Sequence, residues 1–553
     1  MDSFLPISDS GLLEISQGFL QGLEREASLA FFEIPYAKPP IGQLRWAEPE
    51  VPDPWETEIY NATVNQHRSC PMYSDLTGST EDCLTLNIFM PKPSEVEDDL
   101  LLPVMFWLHG GSFRNGNKDQ NGFDGQYMAE THKVIVVNAE YRAGAFGFMY
   151  EESVPSIQGN QGIKDQVRAL EWVNQNIEFF LGDKNKVTIF GESAGAQSVA
   201  TLMTLKTPIG GKNLKNSLFQ RAIIQSAPFS LPYHGKSDGN LEAKRFLKHI
   251  DCKDEDYNSD RELQWECARN KTMEEAIRAQ VLTHDVVEGE TPELLSLAEE
   301  WSPLLDGNFL EFDLYHGFLF NSAPTDIDLI YGFTSGEAHP FIYGVFPIKM
   351  GKTLYETAIK AIFRQDHEAV LEEFPSPCRL TQRNCDARDY LSGWANDYLF
   401  YCSNRKAIEF NREINNKPQT SIKTYKYLFT QPISQTHPCE EYSCHGAETG
   451  FHFHTRSDLN EENPKRLKLA DHMSLAWANF ATTGDPNIDR FGNENSLEDS
   501  FGERWEVYDK HKNGVEKAYV QKFEGDFETD YDTTQYIDGN CEFWDELDVY
   551  TEH

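Results

Sequence analysis

The sequence predicts an α/β fold in which a mostly parallel central sheet is covered by helices on both faces. Short runs of β-branched and aromatic residues, typical of buried strands, alternate with longer stretches of helical periodicity. This alternation favours a parallel sheet, because parallel neighbours need long crossover connections, which are usually helices. Glycine-rich or polar segments follow several of the strands, at the edge where open α/β sheets place their sites.

The composition indicates one large acidic domain. The 553 residues include 49 basic and 89 acidic side chains, which gives a net charge of −40. Such a charge argues against a nucleic acid or an anionic membrane as partner. Because no linker, low-complexity tract or internal repeat divides the chain, we expect residues 1–553 to form a single domain.

Cysteine usage points to the secretory pathway. The chain has ten cysteines, an even number, and glycosylation sequons at Asn61 and Asn270. Residues 1–6 do not resemble a signal peptide, so we expect a secreted protein whose signal is absent from this chain. No apolar run approaches the ~18 residues of a membrane helix, so no membrane span is expected. Nothing in the sequence indicates an oligomeric state.

The first part of the chain supplies the predicted centre of the sheet. Residues 11–55 are typical of hairpin-like strands followed by an irregular, proline-rich segment. Apolar residues at three- and four-residue steps predict a helix from Gly159 to Leu181. Further strands are predicted at residues 84–89, 103–108, 134–137 and 187–190.

The second part continues the alternation with longer helical stretches. Residues 231–320 are charged and predicted to be largely helical, as are residues 353–413, with breaks at Pro375 and Pro377. Strands are predicted at residues 221–226, 328–331 and 423–429, and a late helix at residues 474–480.

A G-x-S-x-G motif lies at residues 191–195, directly after the strand at residues 187–190. A helix is predicted after it, from Ala196 to Leu205, because that stretch has no Pro or Gly. Strand, tight turn, serine and helix are the context of a nucleophile elbow, in which a strained turn lifts the serine hydroxyl clear of the sheet. Ser193 is therefore predicted to be a nucleophile.

The partners that a serine nucleophile needs lie further along the chain. A base must take the hydroxyl proton, and a carboxylate must orient that base. Glu337 follows the strand at residues 328–331, and His445 lies downstream of the strand at residues 423–429. Serine, acid and histidine in this order are typical of α/β-hydrolases. We predict a catalytic triad of Ser193, Glu337 and His445.

Residues 109–112 (His-Gly-Gly-Ser) suggest how a negative charge on the substrate is stabilised. They follow the strand at residues 103–108 and match an HGGG-type loop, whose N–H groups bind the oxyanion. We assign donation to the N–H groups of Gly111, Ser112 and Ala194, and the turn itself to Gly110.

Taken together, these motifs resemble the type-B carboxylesterase family, the cholinesterase-like α/β-hydrolases. The likeness extends from residues 32–45 to residues 541–544 and is most specific at residues 81–88, 159–173 and 187–194. It implies an α/β-hydrolase fold with helical insertions around an active-site gorge, a Ser–Glu–His triad and hydrolysis of carboxylic esters. Neither a metal nor a cofactor is needed for this chemistry. Glu192 matches the acidic residue that lies beside the triad in the family.

Departures from the family pattern bear on the substrate. The loop between Cys70 and Cys83 is short and lacks the tryptophan that cholinesterases use as a cation–π platform. It is also too short for the large apolar lid of lipase relatives. Ser112 stands where many relatives have Gly or Ala, and residues 338–340 (Ala-His-Pro) replace a Gly-Ser-Phe-like stretch. We expect short or medium neutral esters as substrates.

A different class of function stays open, that of a cholinesterase-like binding or adhesion protein without catalysis. Such proteins usually have a damaged triad, whereas all three members are present here. His452 and His454 have the spacing of a metal pair on a strand, but no metal site is predicted.

The resemblance also implies disulfide pairs. It joins Cys70 to Cys83, Cys252 to Cys267 and Cys402 to Cys541. The four remaining cysteines allow three connectivities. Proximity along the chain favours Cys378–Cys385 and Cys439–Cys444, and free or mispaired thiols stay an alternative for the second pair.

Overall fold

A twelve-stranded mixed sheet forms the centre of the protein in its computed structural model. Its strands follow the order β1-β2-β3-β5-β7-β6-β8-β9-β12-β13-β14, and β4 pairs with β2. The structure describes residues 7–55, 58–73, 78–97, 100–120, 122–205, 218–283, 299–320, 327–382, 384–414, 423–493, 504–508, 521–523 and 541–550. The strands are β1 Leu12–Ile15, β2 Gly18–Glu24, β3 Ser28–Pro35, β4 Tyr60–Ala62, β5 Thr85–Pro91, β6 Leu102–Leu108, β7 Ile135–Ala139, β8 Gly182–Glu192, β9 Arg221–Gln225, β10 His234–Gly235, β11 Leu304–Leu305, β12 Asp328–Thr334, β13 Thr424–Phe429 and β14 Gln521–Phe523.

Parallel pairing runs from β7 through β6, β8, β9, β12 and β13 to β14. The strands β1, β2, β3 and β5 add an antiparallel side to this parallel region. β10 and β11 pair in a separate two-stranded sheet. The carboxyl ends of the parallel strands therefore meet at one edge, where the loops after them lie close together.

Helices cover both faces of the sheet. Along β6, Val104 and Phe106 point into one apolar core, whereas Met105 and Trp107 point into the other. The helices are α1 Gln126–His132, α2 Gly144–Phe148, α3 Gln161–Asn176, α4 Ala194–Thr204, α5 Lys236–His249, α6 Arg261–Arg269, α7 Met273–Thr283, α8 Leu314–Phe320, α9 His339–Val345, α10 Lys352–Phe363, α11 His367–Glu373, α12 Arg388–Asn396, α13 Cys402–Ile414, α14 Thr449–His452, α15 Pro464–Thr483 and α16 Cys541–Leu547. Buried residues of α3 and α4 belong to the first core, and those of α1 and α15 to the second. The predicted mostly parallel sheet with helices on both faces is confirmed.

Some predicted elements differ in extent. The late helix predicted at residues 474–480 is α15, which begins at Pro464, where a first-turn proline costs no hydrogen bond. Polar and apolar residues alternate along β13, yet the strand is buried throughout. Its Lys426 is accommodated because the ammonium group lies 5.5 Å from the ring centroids of Tyr331 and Tyr508. Part of the predicted helical stretch at residues 231–320 lies outside the described residues.

Five disulfides join the ten cysteines. Three of them are the pairs that the resemblance implied, and the other two are those favoured by proximity. Cys402–Cys541 fixes α16 to the start of α13. Among the helices that the structure describes, none is long and apolar enough to span a bilayer.

Candidate active site

Ser193 lies in a sharp turn between β8 and α4. Its backbone angles are φ 58° and ψ −126°, a combination that a non-glycine residue adopts only under strain. The turn needs small neighbours, because a Cβ atom on Gly195 would lie 2.0 Å from the carbonyl oxygen of Leu108. The Ser193 N–H donates to the carbonyl of Gln225 at 2.9 Å, which ties the turn to the end of β9. These features are those of the predicted nucleophile elbow.

The loops that carry Glu337 and His445 are joined to each other by hydrogen bonds. Because β12 and β13 are parallel neighbours, their loops leave the same edge of the sheet. The Gly336 N–H donates to the carbonyl of Ser443 at 2.8 Å, and the Ser443 N–H donates to Ser335 Oγ at 3.0 Å. The acid and the histidine are thus brought together by backbone contacts immediately beside them.

Glu337 and His445 are in direct contact. Glu337 Oε2 lies 2.5 Å from His445 Nδ1, and the Glu337 side chain is fully buried. The Thr334 N–H donates to the other carboxylate oxygen, Oε1, at 2.6 Å. A carboxylate on Nδ1 fixes the imidazole orientation and leaves Nε2 as the nitrogen that faces the elbow.

Glu192 lies on the other side of the same imidazole. Its Oε1 atom is 3.1 Å from His445 Nε2, yet the two atoms do not form a hydrogen bond. Within the described part of the chain, Nε2 has no hydrogen-bond partner. The nitrogen next to the elbow is therefore free to accept a proton.

The two carboxylates change the proton affinity of the imidazole. Burial lowers the pKa of His445, but the charges of Glu192 and Glu337 outweigh burial and raise it to about 9. Burial also raises the pKa of Glu192 to about 7, against the opposing effect of His445. The site therefore holds its histidine between two acids rather than beside one.

A third buried carboxyl group, Glu448, was missed by sequence reasoning. Its Oε1 atom accepts hydrogen bonds from Tyr427 OH at 3.2 Å and Ser226 Oγ at 3.3 Å. Burial, together with Glu337 and Glu192, raises the pKa of Glu448 to about 8. The only feature of the sequence that pointed to Glu448 was its position three residues after His445. Its hydrogen-bond partners lie on β13 and directly after β9, so they could not be recognised from the sequence.

The predicted oxyanion loop adopts an unusual backbone. Gly111 has φ 120°, and Ser112 and Phe113 have φ 53° and 55°. A side chain at Gly111 would place its Cβ atom 2.2 Å from the carbonyl oxygen of Asn115. At Gly110 a Cβ atom would lie 3.0 Å from Ser193 Cβ, so this loop packs directly against the elbow. Ala194 begins α4, where N–H groups lack partners within the helix.

Aromatic side chains surround the histidine. The ring centroids of Phe341 and Phe400 lie 4.9 and 5.5 Å from that of His445. Phe341 belongs to α9, which begins in the stretch at residues 338–340 that departs from the family pattern. His339 in that stretch is buried and stacks on Tyr442 at 4.2 Å. Phe341, directly after the departure, and Phe400 thus form an apolar wall beside the imidazole.

His452 and His454, spaced like a metal pair, contact different partners. The ring of His452 is buried and parallel to that of Trp477 at 5.9 Å. His454 stacks on Tyr127 at 3.7 Å. In α14 and the turn after it, unlike in a strand, this spacing does not place the rings side by side.

Comparison with known proteins gives concordant matches. Residues 9–543 match the model of the carboxylesterase family. The chain is 30% identical over 497 residues to the cAMP-regulated D2 protein of Dictyostelium discoideum, covering 88% of this chain and 86% of that protein. It is 32% identical over 413 residues to gut esterase 1 of Caenorhabditis elegans, covering 72% and 66%. A solved PNB esterase has a TM-score of 0.72 and 25% identity, covering 93% of this chain and 96% of that chain. The predicted α/β-hydrolase fold is confirmed.

Proposed function

The chain belongs to the carboxylesterase family, and we propose that it is a serine carboxylesterase that acts through an acyl-enzyme. Membership of this family and the likeness to esterases support ester hydrolysis in general. The observation that carries the finer proposal is His445, which lies with Nδ1 on a buried carboxylate and Nε2 beside the elbow. Ser193 is the nucleophile, His445 the base and Glu337 the orienting acid.

The reaction proceeds in two halves. Ser193 Oγ attacks the ester carbonyl carbon while His445 Nε2 takes the hydroxyl proton, and Glu337 stabilises the imidazolium. Collapse of the tetrahedral intermediate breaks the bond to the alkoxy oxygen, which leaves as the alcohol after His445 returns the proton. Water then attacks the acyl-enzyme by the same route, releasing the carboxylic acid and regenerating Ser193.

Charge on the tetrahedral oxygen is stabilised by N–H donors. We assign this role to Gly111, Ser112 and Ala194, with Gly110 shaping the turn. Support comes from the positive φ angles of the loop and from its packing against the elbow. Removing one such donor typically costs about 10²–10³ in kcat, so the position of this loop matters to the rate.

We infer that the substrates are small molecules, short or medium neutral esters. The Cys70–Cys83 loop is closed by a disulfide and spans 13 positions, too few for a large lid, although its residues 74–77 lie outside the described part. Phe341 and Phe400 offer an apolar wall rather than a charged one. These features favour uncharged groups next to the reacting carbonyl.

We also infer that the protein is secreted and glycosylated. The five disulfides suit an oxidising compartment. Both sequon residues, Asn61 and Asn270, are exposed, as attachment of a glycan requires.

The test is hydrolysis of an ester panel by the wild type and by Ser193→Ala. The panel varies acyl length and alcohol size and includes a choline ester. We expect the wild type to prefer short neutral esters and the variant to lose about 10⁴–10⁶ in kcat while keeping its fold. A wild type that hydrolyses none of the esters would support the alternative, a binding or adhesion protein. A variant that keeps a tenth of wild-type kcat would exclude Ser193 as the nucleophile.

A further inference from the structure

A buried carboxyl group that the mechanism does not use lies behind the oxyanion loop. Glu140 directly follows β7 and is completely buried. Its backbone is fixed on both sides, because its N–H donates to the carbonyl of Thr85 at 3.0 Å and its carbonyl accepts from Tyr36 OH at 2.6 Å. The side chain therefore projects from a rigid position on the central sheet.

The two carboxylate oxygens of Glu140 face opposite ends of the loop from His109 to Lys118, which contains the oxyanion residues 109–112. Oε1 lies 3.4 Å from Nε2 of His109, the first residue of the loop. Oε2 accepts a hydrogen bond at 3.0 Å from the backbone N–H of Lys118, at the far end of the loop. Gly110, Gly111 and Ser112 lie between these two points. One side chain thus contacts both ends of the segment to which we assign the oxyanion donors.

The contact with His109 is one of proximity, because His109 Nε2 and Glu140 Oε1 lie 3.4 Å apart without forming a hydrogen bond. His109 Nδ1 lies 2.9 Å from the carbonyl oxygen of Gly110, so Nε2 is the nitrogen left for Glu140. Neither His109 Nε2 nor Glu140 Oε1 has a hydrogen bond with any described residue, and both side chains are fully buried. The His109 ring is also stacked on Tyr141 at 4.3 Å, so the imidazole cannot turn away easily.

The far end of the loop is fixed by a buried ion cluster. The Lys118 ammonium group lies 2.6 Å from Asp119 Oδ2 and 3.1 Å from Glu33 Oε1, and it donates to the carbonyl of Arg68 at 3.0 Å. Desolvation lowers the pKa of Lys118, but Asp119, Glu33 and Glu140 outweigh it and raise that pKa. Lys118 is therefore a fixed charge to which the end of the loop is attached.

From these contacts we propose that Glu140 is a positioning residue for the oxyanion hole, holding the loop from His109 to Lys118 at both ends. The inference rests on the proposed function and deepens it. Glu140 does not touch the substrate. It acts through the loop, whose backbone carries left-handed angles at Gly111 and Ser112 that only a well-fixed segment maintains.

Three substitutions at Glu140 separate its contacts. Glu140→Met keeps the length of the side chain but removes both polar contacts. Glu140→Gln keeps the length of the side chain and an acceptor for the Lys118 N–H, so it should rescue the loop. Glu140→Asp is one methylene shorter and reaches only one end, and it replaces Glu140→Met if that variant does not fold.

The measurements compare binding of the transition state with binding of the ground state. A trifluoromethyl ketone reacts with the nucleophilic serine to form a hemiketal, and the oxyanion of this hemiketal occupies the oxyanion hole. The product alcohol binds without placing a charge in the hole. We expect Glu140→Met to lower kcat and ketone affinity together by about 10–10², because a shift of about 1 Å has that effect. Affinity for the alcohol should be unchanged, and Glu140→Gln should stay within about fivefold of the wild type.

Asp485→Leu is the matched control. Asp485 is also a buried carboxylate with hydrogen bonds, from Lys423 Nζ at 2.9 Å and the Asn487 N–H at 3.0 Å, but it lies at the amino end of β13. Its loss should lower Tm without changing the ratio of ketone to alcohol affinity. If Glu140→Met or Glu140→Asp lowers Tm only, with that ratio as in the wild type, the inference is wrong while the proposed function stands. A wild type without esterase activity would overturn both.

Discussion

Three carboxyl groups and one imidazole decide the chemistry of the site at the scale of single residues. In the proposed mechanism Glu337 orients His445, whereas Glu192 lies beside the nitrogen that accepts the serine proton. His445 must be neutral to act as a base, so the rate should rise with pH as the imidazole loses its proton. Because Glu192 favours the protonated form, it shifts that rise to higher pH.

We therefore expect Glu192→Gln to move the acid limb of the kcat/KM profile to lower pH, by on the order of one pH unit. The sign follows because removing a nearby negative charge lowers the pKa of His445, so the neutral base is present at lower pH. The measurement is kcat/KM for a neutral ester across the pH range. Glu171→Gln, on the outer side of α3, is the control and should leave the limb in place. A limb that stays or moves upwards in Glu192→Gln would contradict this account.

The sequence predicted the residues whose roles follow from a motif, and missed those whose roles follow from contacts. Ser193, Glu337 and His445 could be named because each follows a strand and their order is typical of the fold. Glu448 and Glu140 could not, because their partners come from other segments of the chain: Ser226 follows β9, and Lys118 lies in the loop after β6. In the sequence, a carboxyl group that is buried in the fold looks the same as one on the surface. The two can be distinguished only when the order of the strands in the sheet is known.

At the scale of elements, the loop before His445 is closed by the Cys439–Cys444 disulfide. The ring spans 5 positions, so it removes little entropy from the unfolded chain. Its contribution is local, because the Ser443 contacts with Gly336 and Ser335 lie within the same ring. We therefore expect this element to position the imidazole more than it stabilises the fold.

Replacing both Cys439 and Cys444 by Ser should lower kcat by about 10–10², since loss of the ring lets His445 shift relative to Ser193. Tm should fall by only about one or two degrees, a shift that corresponds to about 1–2 kcal/mol of stability in so large a chain. The matched control replaces Cys378 and Cys385, whose ring spans 7 positions before α12, and should leave kcat unchanged. Peptide mapping without reduction that finds Cys439 and Cys444 both alkylated would end this interpretation.

Element boundaries show what local patterns do not contain. Polar and apolar residues alternate along β13, but the strand is buried on both sides. Aromatic rings near the Lys426 ammonium group stabilise its buried charge. The start of α15 was missed because its first turns are rich in charged residues, and Pro464 was the available signal. In both cases tertiary packing overrides the local pattern.

At the scale of the whole molecule, the order of the strands brings the site together. β6, β8, β9, β12 and β13 are neighbours in the sheet although long helical segments separate some of them in the chain. The alternation of strands and helices predicted parallel crossovers. It did not predict which strands are neighbours in the sheet, because apolar runs do not specify their partners.

We propose that residues 1–553 fold as one domain, since the sheet includes strands from both ends of the chain and Cys402–Cys541 links distant segments. Calorimetry under non-reducing conditions should then show one unfolding transition, with calorimetric and van't Hoff enthalpies in agreement. Two resolved transitions, or a proteolytic fragment that unfolds independently, would contradict the single domain.

The central claim, that Ser193 is an activated nucleophile, is tested most directly by covalent labelling with a fluorophosphonate. The reagent phosphonylates a serine only where a base takes its proton and an oxyanion hole receives the phosphonyl oxygen. We predict about one label per chain, located by peptide mapping at Ser193, with none on Ser193→Ala and much slower labelling of His445→Ala. An unlabelled wild type, or a label that persists at the same rate in Ser193→Ala, would contradict the account.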